Sequence, residues 1–424
     1  MNARLPLLLL GLLTLALNSE AADWPQWQGP NRTNVSDETG LLKSWTASGP
    51  KLLWTFAETG VGYSAPAVVG DQLFIMGARN NTEQIICLDV KTGKQVWAAN
   101  IGTQFNNGYG DGPRGTPTVD GNFVFGLGGQ GDLVCVEKGS GKPVWKKSMQ
   151  KDFGGKMMSG WGYSESPLVD GDKLVCTPGG GKGTVVALDK KTGKTLWQSS
   201  ELKDDAAYSS LIAADVAGVR QYLLLTGKSA AGVAAKDGKL LWQHAKNEFR
   251  TAVVPTPIYH DNHVFITADY GAGCDLLKLT PAGGKFKAEA VYTNKNMENH
   301  HGGVVLLDGH LYGCSGNSNG RTFWRCLDWK TGKVLWEEGA KLKAGSLTAA
   351  GGQLYLYSQD NGTCVLLDPN PQGWKEAGRF KIPQETKVPR KQGKIWTHPV
   401  VSNGRLYLRD EDLLFCFDVR AAAE

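Results

Sequence analysis

The chain has 424 residues, 41% hydrophobic and 21% charged, which is the composition of a globular protein with a large core and excludes a disordered polymer. Its 46 Lys and Arg against 41 Asp and Glu leave a formal charge of +5 with no run of five or six like charges, so nothing points to nucleic acid. At roughly 150 residues per domain the length would suggest about three domains, a count that repeat architectures break.

The first element is Arg4 followed by the apolar run 5–17 and small residues up to Ala21 and Ala22. It reads as a secretory signal peptide over 1–21, with a small-x-small site at Ser19-Glu20-Ala21 and an apolar run too short for an ordinary membrane span. No cysteine precedes Cys87, so no lipidation cysteine stands at the cleavage site. The expected location is the periplasm or the exterior, without a transmembrane span once the signal is removed. Residues 22–49 form an N-terminal extension that begins "DWPQWQGPNR", and the strand-like run "PKLLWTF" follows at 50–56.

From there two motifs alternate. A small residue, often Pro, precedes two apolar runs separated by a Gly, Asp or Asn turn, as in "SAPAVVGDQLFI", "GTPTVDGNFVF", "SESPLVDGDKLV", "PTPIYHDNHVFI", "GSLTAAGGQLYLY" and "THPVVSNGRLYL". Between these stand "LDVKTGKQVW" (88–97), "VEKGSGKPVW" (136–145), "LDKKTGKTLW" (188–197), "AAKDGKLLW" (234–242) and "LDWKTGKVLW" (327–336). Trp54, Trp97, Trp145, Trp197 and Trp242 recur at intervals of 43, 48, 52 and 45 residues, and Trp336 comes 94 later, about two periods. Each unit reads as strand, hairpin, strand, loop, strand, hairpin, strand, which is a four-stranded propeller blade.

Blades fall near 64–97, 115–145, 164–197, 208–242, 255–292, 301–336, 345–380 and 397–419. The last stops at "LLFCFDV" without its closing motif, and 50–56 carries Trp54 in the missing position. The expectation is an all-β, eight-bladed propeller over 50–419, closed by its own N-terminal strand, with a short tail at 420–424. In "TGKxxW" the Gly supplies a positive-φ turn position, Asp and Thr bond the turn backbone, and the six tryptophans pack where blades meet.

The motif "Ala-x-Asp-x-x-Thr-Gly-Lys-x-x-Trp", as in Ala187, Asp189, Thr192, Gly193, Lys194 and Trp197, resembles the tryptophan-docking repeat of the PQQ-repeat, quinoprotein alcohol dehydrogenase-like propellers. BamB-type proteins of the outer-membrane barrel assembly machinery share it. The resemblance extends over nearly all of 50–419, and "WGYSESP", "AAYSS" and "NHHGGVV" further resemble secreted bacterial members of unassigned activity. It implies either a binding or scaffolding propeller or, as the alternative, a PQQ- and Ca²⁺-dependent dehydrogenase oxidising alcohols or sugars. This chain is shorter than those enzymes and lacks their adjacent cysteine pair.

Of the eight cysteines, Cys87, Cys326 and Cys416 stand two before the repeat Asp and Cys135 two before Glu137, equivalent positions in separate blade cores, while Cys176 and Cys314 lie on second strands, so buried free thiols are expected. "TGKS" (226–229) has Tyr222 where a phosphate loop needs Gly, and His260 and His263 read as turn neighbours.

In a propeller the first strand of each blade lines the channel, so residues leading into it crowd one mouth, the default ligand site. That alignment gathers Tyr63, Arg114, Tyr163 with Glu165, Tyr208, His300 with His301, and Trp396 with His398 as candidate ligand-binding residues. A purely structural, hydrated rim is the alternative. The resemblance to calcium-dependent quinoproteins makes Glu165, Asn299 and Asp111 candidate cation ligands, although nothing in their spacing demands it. Strand alternation predicts that one of His300 and His301 faces the mouth and the other a blade junction, with Gly302 and Gly303 admitting close backbone approach. The expected protein is a monomer with an unidentified protein or small-molecule partner and no assigned catalytic residue.

Overall fold

A computed structural model describes residues 22–316 and 320–422, so the expected signal segment lies outside the described residues. The described residues form eight sheets, each a four-stranded antiparallel blade, one of which gains a short parallel fifth strand. Blade one consists of Ala67–Val69, Gln72–Arg79, Thr82–Asp89 and Gln95–Thr103, hydrogen-bonded in that order. The inner strands of blades two to eight are Thr118–Asp120, Leu168–Asp170, Ile212–Val216, Ile258–His260, Val304–Leu307, Gly345–Ala350 and Val400–Ser402. In blade eight, Lys51–Phe56 pairs with Leu413–Asp418, Lys51 opposite Asp418 and Phe56 opposite Leu414, so the two ends of the chain close the ring in one sheet.

The local cause of this regularity is the turn before each outer strand. In blade one the Asp89 carboxylate accepts the Thr92 amide and hydroxyl, and Asp189 and Asp328 do the same for Thr192 and Thr331. Gly93, Gly193 and Gly332 follow with φ of 68°, 69° and 65°, and Gly141 of blade two has φ of 70°. Each outer strand then carries a bulge one residue before the docking position, as Trp97 pairs with Cys87 but Gln95 with Leu88. The bulge turns the indole towards the next blade. There Trp54, Trp97 and Trp145 donate Nε1–H to the carbonyls of Val90, Lys138 and Lys190 and lie flat on Gly93, Gly141 and Gly193, where a Cβ would come within 2.6–2.8 Å of the ring. Trp336 donates to Asn370 in the same way, and Trp197 packs on Gly238 with no partner for its N–H among the described residues.

Blades four, five and seven depart from the pattern. Trp242 donates to Gln221 of its own sheet and packs on Gly232, and it joins the core shared with Val264, Ile266 and Leu277 of blade five without the turn-glycine contact. Blade five has no "TGKxxW"; its two long outer strands, Gly273–Ala282 and Lys285–Asn294, place Tyr292 on Gly332, with the phenol donating to Trp329. In blade seven the docking position is Gly378, and Trp45 of the N-terminal extension packs there instead, against Tyr355 and Phe380.

The extension itself runs through the channel. Trp24 bridges Val68, Pro25 accepts from Val119, and Val35–Ser36 lies parallel beside Ala349 and Ala350. Arg32 is buried across the bore, its guanidinium donating to Pro167 and Leu211 ahead of blades three and four. All eight cysteines are buried and free. Among the described residues no helix is long and apolar enough to cross a membrane.

Candidate functional site

The segments leading into the inner strands meet at one mouth around a cavity of about 560 Å³. Of the nine aligned candidates, Tyr63, Arg114, Tyr208, His300, His301, Trp396 and His398 line it. Its floor is Trp27 of the extension, whose indole donates to Thr256 at 2.9 Å and meets the His398 ring edge-on at 4.6 Å.

The walls are two aromatic series. On one side Tyr109, Trp161 and Tyr208 follow one another at centroid distances of 5.8 Å. On the other, Tyr63 leans on Trp396 at 5.3 Å, His301 stacks on Trp396 at 4.4 Å, and Tyr270 stands edge-on to His300. Tyr63 is fixed by donating to the Tyr109 carbonyl at 2.9 Å, and Tyr208 shares a hydrogen bond with Ser159. Tyr270 holds φ of 59°, a left-handed conformation that costs a non-glycine residue on the order of 1 kcal/mol.

Both histidines of the "HHGG" stretch face the cavity, their rings 3.7 Å apart, contrary to the alternation expected of a strand. The reason is local: the inner strand begins only at Val304, so 300 and 301 lie in irregular backbone. Gly302 passes so near the Gly345 carbonyl that a Cβ would sit 2.0 Å from its oxygen. Burial pushes the His300 and His398 pKa values down to about 4 and His301 well below its usual range, so all three rings are neutral at neutral pH. His398 Nε2 is 2.8 Å from the His301 carbonyl oxygen, an acceptor, so Nε2 carries the proton of that bond, and the Leu347 backbone also meets the ring. His301 Nδ1 has no hydrogen-bond partner among the described residues and, like His398 Nδ1, is buried away from the open cavity.

Arg114 is held over the Phe105 ring at 4.6 Å and donates to the Gly110 and Gly112 carbonyls. Burial lowers its pKa, and no carboxylate forms an ion pair with it among the described residues. The second lining cation, Lys394, pairs with Asp360 at 3.2 Å.

Tyr163 and Glu165 go elsewhere. Tyr163 donates to Pro178 and fills the core between blades two and three. Glu165 is 2% exposed and accepts from the Thr177 amide; burial raises its pKa to about 7 against the pull of Arg32. The three candidate cation ligands do not converge either. Asn299 is consumed by Gly303 and Cys314, and Asp111 accepts from Asn107 and pairs with Lys391. Among the described residues no cluster of three or more His, Cys, Asp or Glu is placed to hold a metal.

The donor set bears on the quinone as well. Calcium-assisted quinone chemistry needs a hard cation held by oxygen ligands, carboxylates foremost. The cavity offers indoles, phenols, imidazoles, cations and a few hydroxyl and amide groups such as Ser164 and Gln392, with no Asp or Glu in its lining among the described residues, so these residues do not fit that ion.

Trp27, Tyr109, Trp161 and Tyr270 escaped the sequence alignment because they sit on the extension and on mouth loops outside the repeat. The doublet of aromatics in "WGY" carried a usable signal, since Trp161 faces the cavity while Tyr163 does not.

Residues 81–336 match the family described as outer membrane protein assembly factor BamB. The BamB of Shewanella oneidensis is 24% identical over 232 residues, 54% of this chain and 55% of the relative. A polyvinylalcohol dehydrogenase of a Pseudomonas species is 26% identical over 65% of this chain and 56% of its own length. The chain thus spans about half the length of the curated relatives it matches. The crystal structure of BamB from Moraxella catarrhalis superposes with a TM-score of 0.61 at 16% identity, covering 87% of this chain and 99% of that one, which is a likeness of fold.

Proposed function

The chain belongs to the PQQ-repeat propeller family described as outer membrane protein assembly factor BamB, and from that premise we propose a binding or scaffolding protein of the bacterial envelope that seats a ligand or partner segment in the mouth cavity. The observation that carries this reading is the cavity: preformed, walled by aromatic rings, floored by Trp27 and, among the described residues, without a lining carboxylate. The signal-like residues 1–21 and the BamB relatives support a periplasmic or secreted location. A rigid disc with such a cavity needs no general base to do this work, and fold alone does not select the partner.

The dehydrogenase reading rests on the polyvinylalcohol dehydrogenase relative and lacks a calcium donor set here. The two separate in one assay. The purified protein is offered PQQ and Ca²⁺ with alcohols and sugars, and reduction of an artificial dye is followed. A binding protein gives no turnover above the protein-free rate; saturable dye reduction that is lost in Trp396→Ala would replace the binding reading with the enzymatic one.

A further inference from the structure

The extension enters and leaves the bore beside one turn of blade eight, the turn between Val400–Ser402 and Arg405–Asp410. Where it enters, three consecutive residues are clamped. The Ala22 carbonyl accepts from Ser402 Oγ at 2.8 Å, the Asp23 carboxylate accepts the Gly70 amide at 2.8 Å, and Trp24 exchanges two backbone hydrogen bonds with Val68. Where it leaves, Glu38 is 4% exposed and accepts the Gly404 amide at 3.0 Å through Oε1. The backbone N–H groups of Asn403 and Ala22 also act on this carboxylate. Ala22 and Glu38 thus meet at the base of the loop that carries Trp27 and Arg32.

That base is short of donors. Glu38 Oε2 and Asn403 Oδ1 are buried acceptors with no hydrogen bond of normal geometry among the described residues. Buried polar atoms are normally satisfied, and a buried carboxylate without a paired cation is costly. The charged and titratable groups packed around Glu38 are Arg405, which donates to the Asn403 carbonyl and acts on the carboxylate through space, and the phenols of Tyr355 and Tyr407. Burial is the largest influence and raises the Glu38 pKa. A backbone amide at Ala22 offers one N–H. A free α-amino group, protonated at neutral pH, offers three donors and a full charge.

On the footing of the signal reading above, we propose that cleavage after Ala21 completes this site: the new α-ammonium of Ala22 pairs with Glu38 and staples the base of the loop that floors the mouth cavity. The step is a hydrolysis by a peptidase acting with water. The Ala21–Ala22 amide bond breaks, the hydroxyl of water goes to the Ala21 carbonyl carbon and its proton to the Ala22 nitrogen. The proton released by the new Ala21 carboxyl completes the ammonium. The uncleaved chain lacks that charge, so the loop bearing Trp27 and Arg32 is held less firmly before processing than after it.

N-terminal sequencing of the secreted full chain should begin at Ala22, and any other start overturns the inference through the signal reading. Two mature chains are then compared, one beginning at Ala22 and one with Gly-Ser added ahead of it. The first should melt about 3–6 °C higher, a difference that disappears when both carry Glu38→Gln. Acylation of the α-amino group at pH 7 should be about tenfold slower in the Ala22 chain than in the extended chain or in Glu38→Gln, because a pairing worth one pKa unit keeps the ammonium protonated. Equal melting of the two wild-type chains, or equal acylation of their α-amino groups, overturns the pairing with the signal reading intact. Both wild-type comparisons stand even where Glu38→Gln folds poorly. The binding reading of the mouth survives either failure, because only dye reduction with PQQ removes it.

Discussion

At the scale of single residues, Glu165 is the side chain whose role changes most between pattern and structure. It aligns with the mouth but is buried under Thr177, with a pKa raised from 4.5 to about 7. The folded state holds its proton more tightly than the unfolded chain does. Its contribution is therefore complete below pH 4.5 and is lost as pH rises through about 7. Glu165→Gln should gain stability relative to wild type between pH 5 and pH 8, by at most about 3 kcal/mol, since each pKa unit is worth about 1.4 kcal/mol. Urea unfolding at the two pH values checks this, and a pH-independent difference would contradict it. Glycines give a second residue-scale test. Gly171 and Gly193 have nearly the same φ, 60° and 69°, yet a Cβ meets nothing within 4 Å at Gly171 and comes 2.8 Å from the Trp145 ring at Gly193. Gly171→Ala should cost about 1 kcal/mol of backbone strain, and Gly193→Ala roughly 2–4 kcal/mol because the indole must move as well.

At the scale of elements, the N-terminal extension does work that the repeat does not announce. Arg32 satisfies the Pro167 and Leu211 carbonyls in the bore, and Trp45 fills the docking position left by Gly378. Arg32→Met should cost about 2–4 kcal/mol, because buried carbonyls lose a charged donor. Trp27→Ala instead should weaken cavity ligands tenfold or more with a small change in melting temperature, since its indole forms the floor and one bond to Thr256. Equal effects of the two substitutions on binding and on melting would refute that division. The blades were legible because "TGKxxW" encodes a closed local device, an Asp-capped turn, a positive-φ glycine and a bulge. Lys51–Phe56 was legible for the same reason, as Trp54 stands at the repeat position. The extension was not, because most of its hydrogen bonds to the inner strands use backbone groups, which leave no residue signature on the partner. The cavity was legible where inner strands keep their period, as at Tyr63, Tyr208 and Trp396, and illegible on loops such as those bearing Tyr109 and Tyr270. Tyr292 shows the same limit, since only its place on Gly332 reveals it as blade five's docking ring.

At the scale of the whole molecule, the ring is only as closed as blade eight. Its outer strand is brought from the other end of the chain, with Phe56 opposite Leu414 across 358 residues. Blade one draws its outer strand from a hairpin of a few residues. Loop-closure entropy grows as about (3/2)RT ln n, so the long closure costs about 3 kcal/mol more than a ten-residue loop would. Trp54 and Trp97 make equivalent contacts, donating to Val90 and Lys138 and packing on Gly93 and Gly141. Burying an indole is worth on the order of 5 kcal/mol as an upper bound, so alanine at either site should lower global stability by several kcal/mol. Their local consequences should differ. In Trp97→Ala the chain still tethers blades one and two, and opening there gains little entropy. In Trp54→Ala the weakened junction is also the one where opening releases a whole-chain loop. Hydrogen exchange should therefore show Lys51–Phe56 and Leu413–Asp418 exchanging together, ahead of every other blade, in Trp54→Ala, with no such early opening in Trp97→Ala. Uniform protection across the blades of both variants would mean that the ring unfolds as one unit and that its closure is no weaker than its other seams.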